Sequence, residues 1–313
     1  ITIEGAGFSV NGAQLPEVRL GAASSRVVFA SPTTLTVIVP PGLEGGRAMV
    51  QVGGSSVDGV AVGIASVFAT GLHQVDNPVF DREGNLYVTY SGTRGQQVPV
   101  SIFRVRPTGT REAFSSGIVN PTSMAIGPEG RLYVSSRFEG TVYRVNADGT
   151  FETFATDLGV ACGLAFTADG ALLVGDRSGT LFRVDRHGHA AAFAALPASV
   201  AAFHLAIGPD QAVYVTGPTL STYDTVYRVD MQGNVTHLDA VFGRPQGLAF
   251  DTSGTLHVVE ALAGASGLYR LRAEGPPELV LAGPGLVGVA FDSSGALVVC
   301  SNETAFRLPP RSA

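Results

Sequence analysis

The sequence predicts an all-β chain. A small β-sandwich occupies residues 1–61, and a six-bladed β-propeller occupies residues 62–313, closed by an outer strand that precedes its first blade. Three observations carry this prediction. One strand pattern recurs six times, and no segment shows an apolar period suited to a helix of ten or more residues. The last copy also lacks a strand that a segment ahead of the first copy can supply.

The six copies open at Asn77-Pro-Val-Phe-Asp81, Ser123-Met-Ala-Ile-Gly127, Gly163-Leu-Ala-Phe-Thr167, His204-Leu-Ala-Ile-Gly208, Gly247-Leu-Ala-Phe-Asp251 and Gly288-Val-Ala-Phe-Asp292, spaced by 40 to 46 residues. A polar turn and a second apolar run follow each, such as Leu86-Tyr-Val88 and Leu297-Val-Val299. A third run ends in an aromatic residue and an arginine: Phe103-Arg104, Tyr143-Arg144, Phe182-Arg183, Tyr227-Arg228, Tyr269-Arg270 and Phe306-Arg307. Fourth strands follow in five copies, near Phe114, Phe154, Phe193, Leu238 and Val280. The sixth stops at Leu308, before a Pro-Pro-Arg-Ser-Ala tail. Phe68-Ala-Thr-Gly-Leu72 nearly duplicates Phe154-Ala-Thr-Asp-Leu158, so it is the expected fourth strand of the sixth blade, leaving no free sheet edge. An arginine repeated in every blade serves the repeat, and its expected role is pairing with neighbouring blade groups or turn carbonyls while its stem covers an adjacent ring.

Residues 1–61 have a different rhythm. Short strands are expected at Ile1-Thr-Ile3, Val18-Arg-Leu20, Arg26-Val-Val-Phe29, Leu35-Thr-Val-Ile-Val39 and Ala48-Met-Val-Gln-Val52, with turns at Pro40-Pro41-Gly42 and Gly45-Gly46. Residues 60–66 read as a short apolar link that fixes the junction. At 313 residues the chain can bury one large core and a smaller one. A net charge of −6, with 20 arginines scattered and no lysine, argues against nucleic acid as a partner. No run of eighteen apolar residues is present to form a transmembrane helix. Cys162 and Cys300 fall in opposite blades and are expected as free, buried thiols.

Ile3-Glu-Gly-Ala-Gly-Phe8, Glu17-Val-Arg-Leu-Gly21, Ser31-Pro-Thr-Thr-Leu-Thr-Val-Ile-Val-Pro-Pro-Gly42 and the final Val50-Gln-Val52 make the leading segment resemble the IPT/TIG family of immunoglobulin-like domains. The resemblance implies a sandwich without its first strand, because family members begin with one before the position of Ile1. It also implies a secreted, periplasmic or cell-surface protein whose signal peptide has been removed. From Val67 onward, Pro245-Gln-Gly-Leu-Ala-Phe-Asp251 with Gly254, Leu256 and Val258 makes the chain resemble NHL-repeat and SMP-30/gluconolactonase-like propellers, of bacterial type. That group includes lactonases, lyases and binding modules, so it implies architecture rather than activity.

Chemistry in a propeller is expected where inner strands start and second strands end, at residues that break the repeat. His204 stands where three copies have Gly, and its imidazole suits proton transfer near neutrality. Glu260 in the next blade is expected to orient it or to act as an acceptor. With Asp76 they form the minimal catalytic set. Asp76-Asn-Pro-Val-Phe-Asp81 resembles the metal-binding first inner strand of the lactonases, with Asp76 in place of a glutamate ligand. The resemblance implies Asp76, Asn77 and Gln246 as ligands if calcium or another divalent cation is present, though no cofactor is required. The loops of residues 89–99, 217–224 and 260–267 all leave second strands and fall on one face. Tyr90, Arg94, Arg137, Asp176, Tyr223 and Gln246 are the expected ligand-binding residues there. The expected function is binding of a peptide, glycan or small molecule at this face by a monomer. The alternative is a hydrolase or lyase acting on a small ester or lactone at the same place.

Overall fold

In a computed structural model the protein is described at residues 1–10, 15–40, 42–43, 45–53 and 59–308. The expected turn at Pro41 and the tail after Leu308 lie outside these residues. Among the described residues every regular element is a strand. The chain divides into two compact units, Ile1–Val67 and Phe68–Ala313.

The first unit is two antiparallel sheets. Thr2–Glu4, Thr34–Val37 and Val27–Ala30 form one; Ala23–Ser25, Val18–Leu20, Gly46–Val52 and Val60–Ile64 form the other. Alternation sends Val18, Leu20, Leu35, Val37 and Val50 inward to a shared core. Residues 60–64 are not the link expected of them. They pair along Gly46–Val52, from Gly46↔Ile64 to Val50↔Val60. Their backbone hydrogen bonds are thereby met inside the leading unit, and the boundary between units falls after Val67.

The second unit is a ring of six four-stranded antiparallel sheets. The first blade runs Val79–Phe80, Leu86–Thr89, Ile102–Val105 and Arg111–Ser115 from inside out, and the next four repeat the order. The sixth is Leu286–Phe291, Leu297–Ser301 and Thr304–Leu308, completed by Ser66–Thr70, a strand that precedes the first blade. Each inner strand packs on the inner strands of both neighbours, and that of the sixth blade returns to the first. Leu and Phe of the repeated Gly-Leu-Ala-Phe pack between blades, as Leu164 and Phe166 of the third blade do with Tyr133 and Val142 of the second.

The turn between inner and second strands explains the recurring Asp-x-x-Gly. Asp251 Oδ1 accepts the backbone N–H of Ser253 and of Thr255, both at 2.9 Å. Asp81 does the same for Glu83 and Asn85, and Asp292 for Ser294 and Ala296. The glycine takes a left-handed φ, +79° at Gly84, +80° at Gly254 and +81° at Gly295.

The repeated arginines all have carboxylate partners: Arg104 and Glu112, Arg144 and Glu152, Arg183 and Asp169, Arg228 and Asp210, Arg270 and Glu278, Arg307 and Asp292. Three also lie over a fourth-strand ring. Arg104 stands 5.2 Å from the Phe114 centroid and Arg183 6.0 Å from Phe193. In the sixth blade Arg307 stands 5.3 Å from Phe68, so the closing strand fills the same structural role.

Candidate functional site

In five blades the start of the inner strand pairs with the end of the second strand beside it: Pro121↔Ser136, Ala161↔Asp176, His204↔Thr216, Pro245↔Glu260 and Leu286↔Ser301. These ends therefore converge on one face around the axis, and the long loops start from them. Residue types at the axis are polar but spent on one another. Ser135 Oγ donates to Cys162 O at 2.6 Å, Leu164 N–H donates to Ser123 Oγ at 3.0 Å, and Thr216 Oγ1 donates to Gln246 O. Asn77 spans two further blades: Nδ2 donates to Leu248 O at 2.9 Å and Oδ1 accepts Val289 N–H at 3.0 Å.

Asp76 and His204 meet across this ring, 128 residues apart in sequence, through a hydrogen bond between Asp76 Oδ1 and His204 Nδ1. Both side chains are buried, His204 at 0% and Asp76 at 1% exposure. The carboxylate takes the proton on Nδ1, and Asp76 Oδ1 also accepts Asn77 N–H at 2.7 Å. His204 Nε2 is buried with no hydrogen-bond partner. A carboxylate-oriented imidazole of this kind is able to act as a base. Here the side chain is fully buried. Gln74, fully buried, fixes the approach to Asp76 by donating to Asp76 O at 2.7 Å and accepting Thr89 N–H at 2.7 Å.

Glu260 does not orient His204. Its carboxylate is buried and accepts three backbone N–H groups, from Gly243 at 2.6 Å, Arg244 at 2.8 Å and Leu262 at 2.7 Å. Asp76 holds the imidazole instead. Asp176 has the same kind of role as Glu260 two blades earlier, accepting Val160 N–H at 2.8 Å and the Ser178 hydroxyl.

Two of the three expected cation ligands spend an oxygen on the protein itself. Asp76 Oδ1 and Asn77 Oδ1 are committed as described, and calcium or magnesium wants six or more oxygens. Gln246 is buried, and Asn77 points its carboxamide along the inner strands. Among the described residues no group of three or more His, Cys, Asp or Glu side chains is placed to hold a metal.

The loop residues are differently disposed. Tyr223 is 66% exposed. Tyr90 is half-buried, its ring 5.9 Å from that of His73 and 6.3 Å from Phe103. Arg94 is exposed and Arg137 half-buried. Burial lowers the Arg137 pKa most, and the charges of Arg177 and Arg94 lower it further, opposed by Cys162. Burial also pushes the Cys162 thiol up to about 12. Both cysteines are free and buried.

Asn120, Arg177 and His73 belong to this face and were not singled out from the sequence. Asn120 sits at φ +46° and uses its whole carboxamide on the first blade's loop. Oδ1 accepts Gly95 N–H at 2.6 Å, and Nδ2 donates to Ser91 O at 2.6 Å and Thr93 O at 2.7 Å. Arg177 had a signal: Arg137 and Arg177 are the residues next after the second strands of adjacent copies, where the others have Ser91, Pro218, Ala261 and Asn302.

A cleft of about 520 Å³ lies elsewhere, lined by Glu129, Arg131, Tyr133, Arg144 and Phe166 among others, beside the turns of the second and third blades. Its polar groups serve the repeat: Tyr133 donates to Glu129 at 2.6 Å and Arg144 pairs with Glu152.

No family model matches the chain, and no curated protein matches its sequence. Solved structures do share the fold. A gluconolactonase from Xanthomonas campestris matches at 17% identity and TM-score 0.63, covering 79% of this chain and 91% of that one. A catalytically inactive virginiamycin B lyase from Staphylococcus aureus with quinupristin matches at 14% and 0.57, covering 98% of both chains. An auxiliary nutrient binding protein from Bacteroides thetaiotaomicron matches at 11% and 0.62, covering 98% of this chain and 93% of that one. The propeller is thus of the gluconolactonase and virginiamycin B lyase kind in fold. At these identities the likeness extends to fold alone.

Proposed function

We propose that the protein is an extracellular or surface-attached binding protein that takes its ligand on the looped face of the propeller. The leading unit would be an immunoglobulin-like spacer of the IPT/TIG kind, and the propeller one of the NHL and SMP-30 kind. One observation carries the binding reading. The loops of this face are each clamped at the backbone by a buried side chain: residues 91–95 by Asn120, 243–262 by Glu260, Thr219 by Asp224, and 160 by Asp176. Loops held this way lose little further freedom on binding, which is how a preformed recognition surface gains affinity. Most polar groups of the axis beneath are spent on one another, which favours the surface over a deep cavity as the place where the ligand would be met.

The second reading is a hydrolase or lyase of a small ester or lactone. The Asp76–His204 pair with its unpartnered Nε2 favours it, and its buried position weighs against it. Thermal-shift screening against peptide, glycan and small-acid panels, run beside turnover assays on gluconolactone and 4-nitrophenyl acetate, separates the two. Binding predicts a ligand that raises the Tm, since saturation at a hundred times Kd adds about 2.7 kcal/mol. The rise should shrink in Tyr223→Ala, with no turnover above buffer. Turnover that His204→Asn abolishes would replace the binding reading with the enzymatic one.

A further inference from the structure

The arginines of the propeller differ in how they are paired. The six repeated ones are all paired with carboxylates. Arg94, Arg137 and Arg177 have no ion pair and no side-chain hydrogen bond among the described residues, and Arg137 is near enough to the other two to feel their charges. Arg137 and Arg177 directly follow the second strands Leu132–Ser136 and Leu172–Asp176 of adjacent blades, whose ends pair with inner-strand starts at Pro121 and Ala161. Arg94 is in the first blade's loop, which Asn120 of the second blade clamps on both sides of it, at Thr93 O and Gly95 N. Gly95 lies against the ring of Phe138, where an added Cβ would stand 3.2 Å from a ring carbon, and so the loop rests on the neighbour of Arg137.

The backbone of Arg177 is fixed on both sides. Its N–H donates to Val160 O at 3.2 Å and its carbonyl accepts Ser199 N–H at 2.9 Å. Its side chain is exposed. The carboxylates near by are spent elsewhere: Asp176 on Val160 and Ser178, Asp76 on Asn77 and His204. Like charges on fixed backbones raise one another's energy, and Arg177 and Arg94 both act on Arg137 in this sense. Folding gains nothing from that arrangement, while an oxyanion placed between planar guanidinium forks would gain several charge-assisted bonds. The net charge of −6 means that this cationic sector stands against the molecule's overall sign.

We propose that Arg94, Arg137 and Arg177 form an oxyanion-binding site, and that the ligand of the looped face is a small molecule carrying a phosphate or several carboxylates. This rests on the binding reading above and assigns its ligand class. Inorganic phosphate and citrate serve as the two probes, titrated by calorimetry and thermal shift into the full chain, with sodium chloride at matched ionic strength as reference. At least one anion should raise the Tm beyond chloride. Arg94→Gln and Arg177→Gln, both exposed and without structural bonds, should each weaken its Kd about tenfold, the scale of one charge-assisted hydrogen bond. Arg82→Gln, in the turn of the first blade, should leave it unchanged. Response to phosphate alone assigns a phosphate group, and response to citrate alone a polycarboxylate. If neither anion exceeds chloride, or the two variants bind as the parent does, the inference fails. A neutral glycan or peptide that still binds in that case would leave the binding reading intact.

Discussion

At the scale of single residues, burial decides which groups can react. The Cys162 thiol, pushed up to about 12, leaves roughly one thiolate in ten thousand at pH 8, and burial moves Cys300 in the same direction. Neither should be labelled by iodoacetamide in the native protein, and both should react once guanidinium unfolds it, as mass spectrometry would show. Glu260 has a structural task that a substitution can expose. Glu260→Gln keeps the shape but removes the charge that holds three N–H groups, and should cost about 1–3 kcal/mol in urea unfolding. His73 supplies a pH dependence. Burial first, then Arg137, lowers its pKa below the ordinary 6.5, with Glu303 opposing. On acidification the unfolded chain takes up this proton before the folded one. The contribution to stability is therefore complete above about pH 6.5 and is lost as pH falls below it towards the native pKa. Unfolding free energies measured from pH 8 to 5 should fall less in His73→Gln than in the parent.

At the scale of elements, what could be read from the sequence was whatever the repeat made redundant. The Asp-x-x-Gly turns were legible because both parts of the device are local: a carboxylate reaching N–H groups two and four residues on, and a glycine at positive φ. Gly254→Ala, at φ +80° with Pro209 3.3 Å from the added carbon, should cost about 1–2 kcal/mol in denaturant unfolding. The strands and the arginine column were legible for the same reason. The clamps were not. Glu260 and Asn120 act on backbone groups, whose positions depend on loop paths and leave no mark in residue types. The Asp76–His204 bond joins two single departures from the pattern on opposite blades, and only ring closure brings them together. The sequence put both residues in one catalytic set but gave the orienting role to Glu260. Residues 60–64 were misread because an apolar stretch next to a boundary fits a link and an edge strand equally well; pairing with Gly46–Val52 decides it.

At the scale of the whole molecule, the fourth strand of the sixth blade is the structural keystone. Ser66–Thr70 covers the edge of Thr304–Leu308 and places Phe68 under Arg307. Phe68→Ala should lower stability by about 2 kcal/mol. A chain starting at Gly71 should bare that edge and scatter light on warming well below the parent's transition. The same geometry sets a schedule for synthesis. Residues 66–70 leave the ribosome more than 230 positions ahead of residues 304–308. At the usual 5–20 residues per second they wait about 10–50 s for their partner. During that interval the nascent chain carries an unmatched β segment beside five finished blades, so chaperone capture and premature pairing compete there, and stalling translation just before residue 304 should trap the ring open.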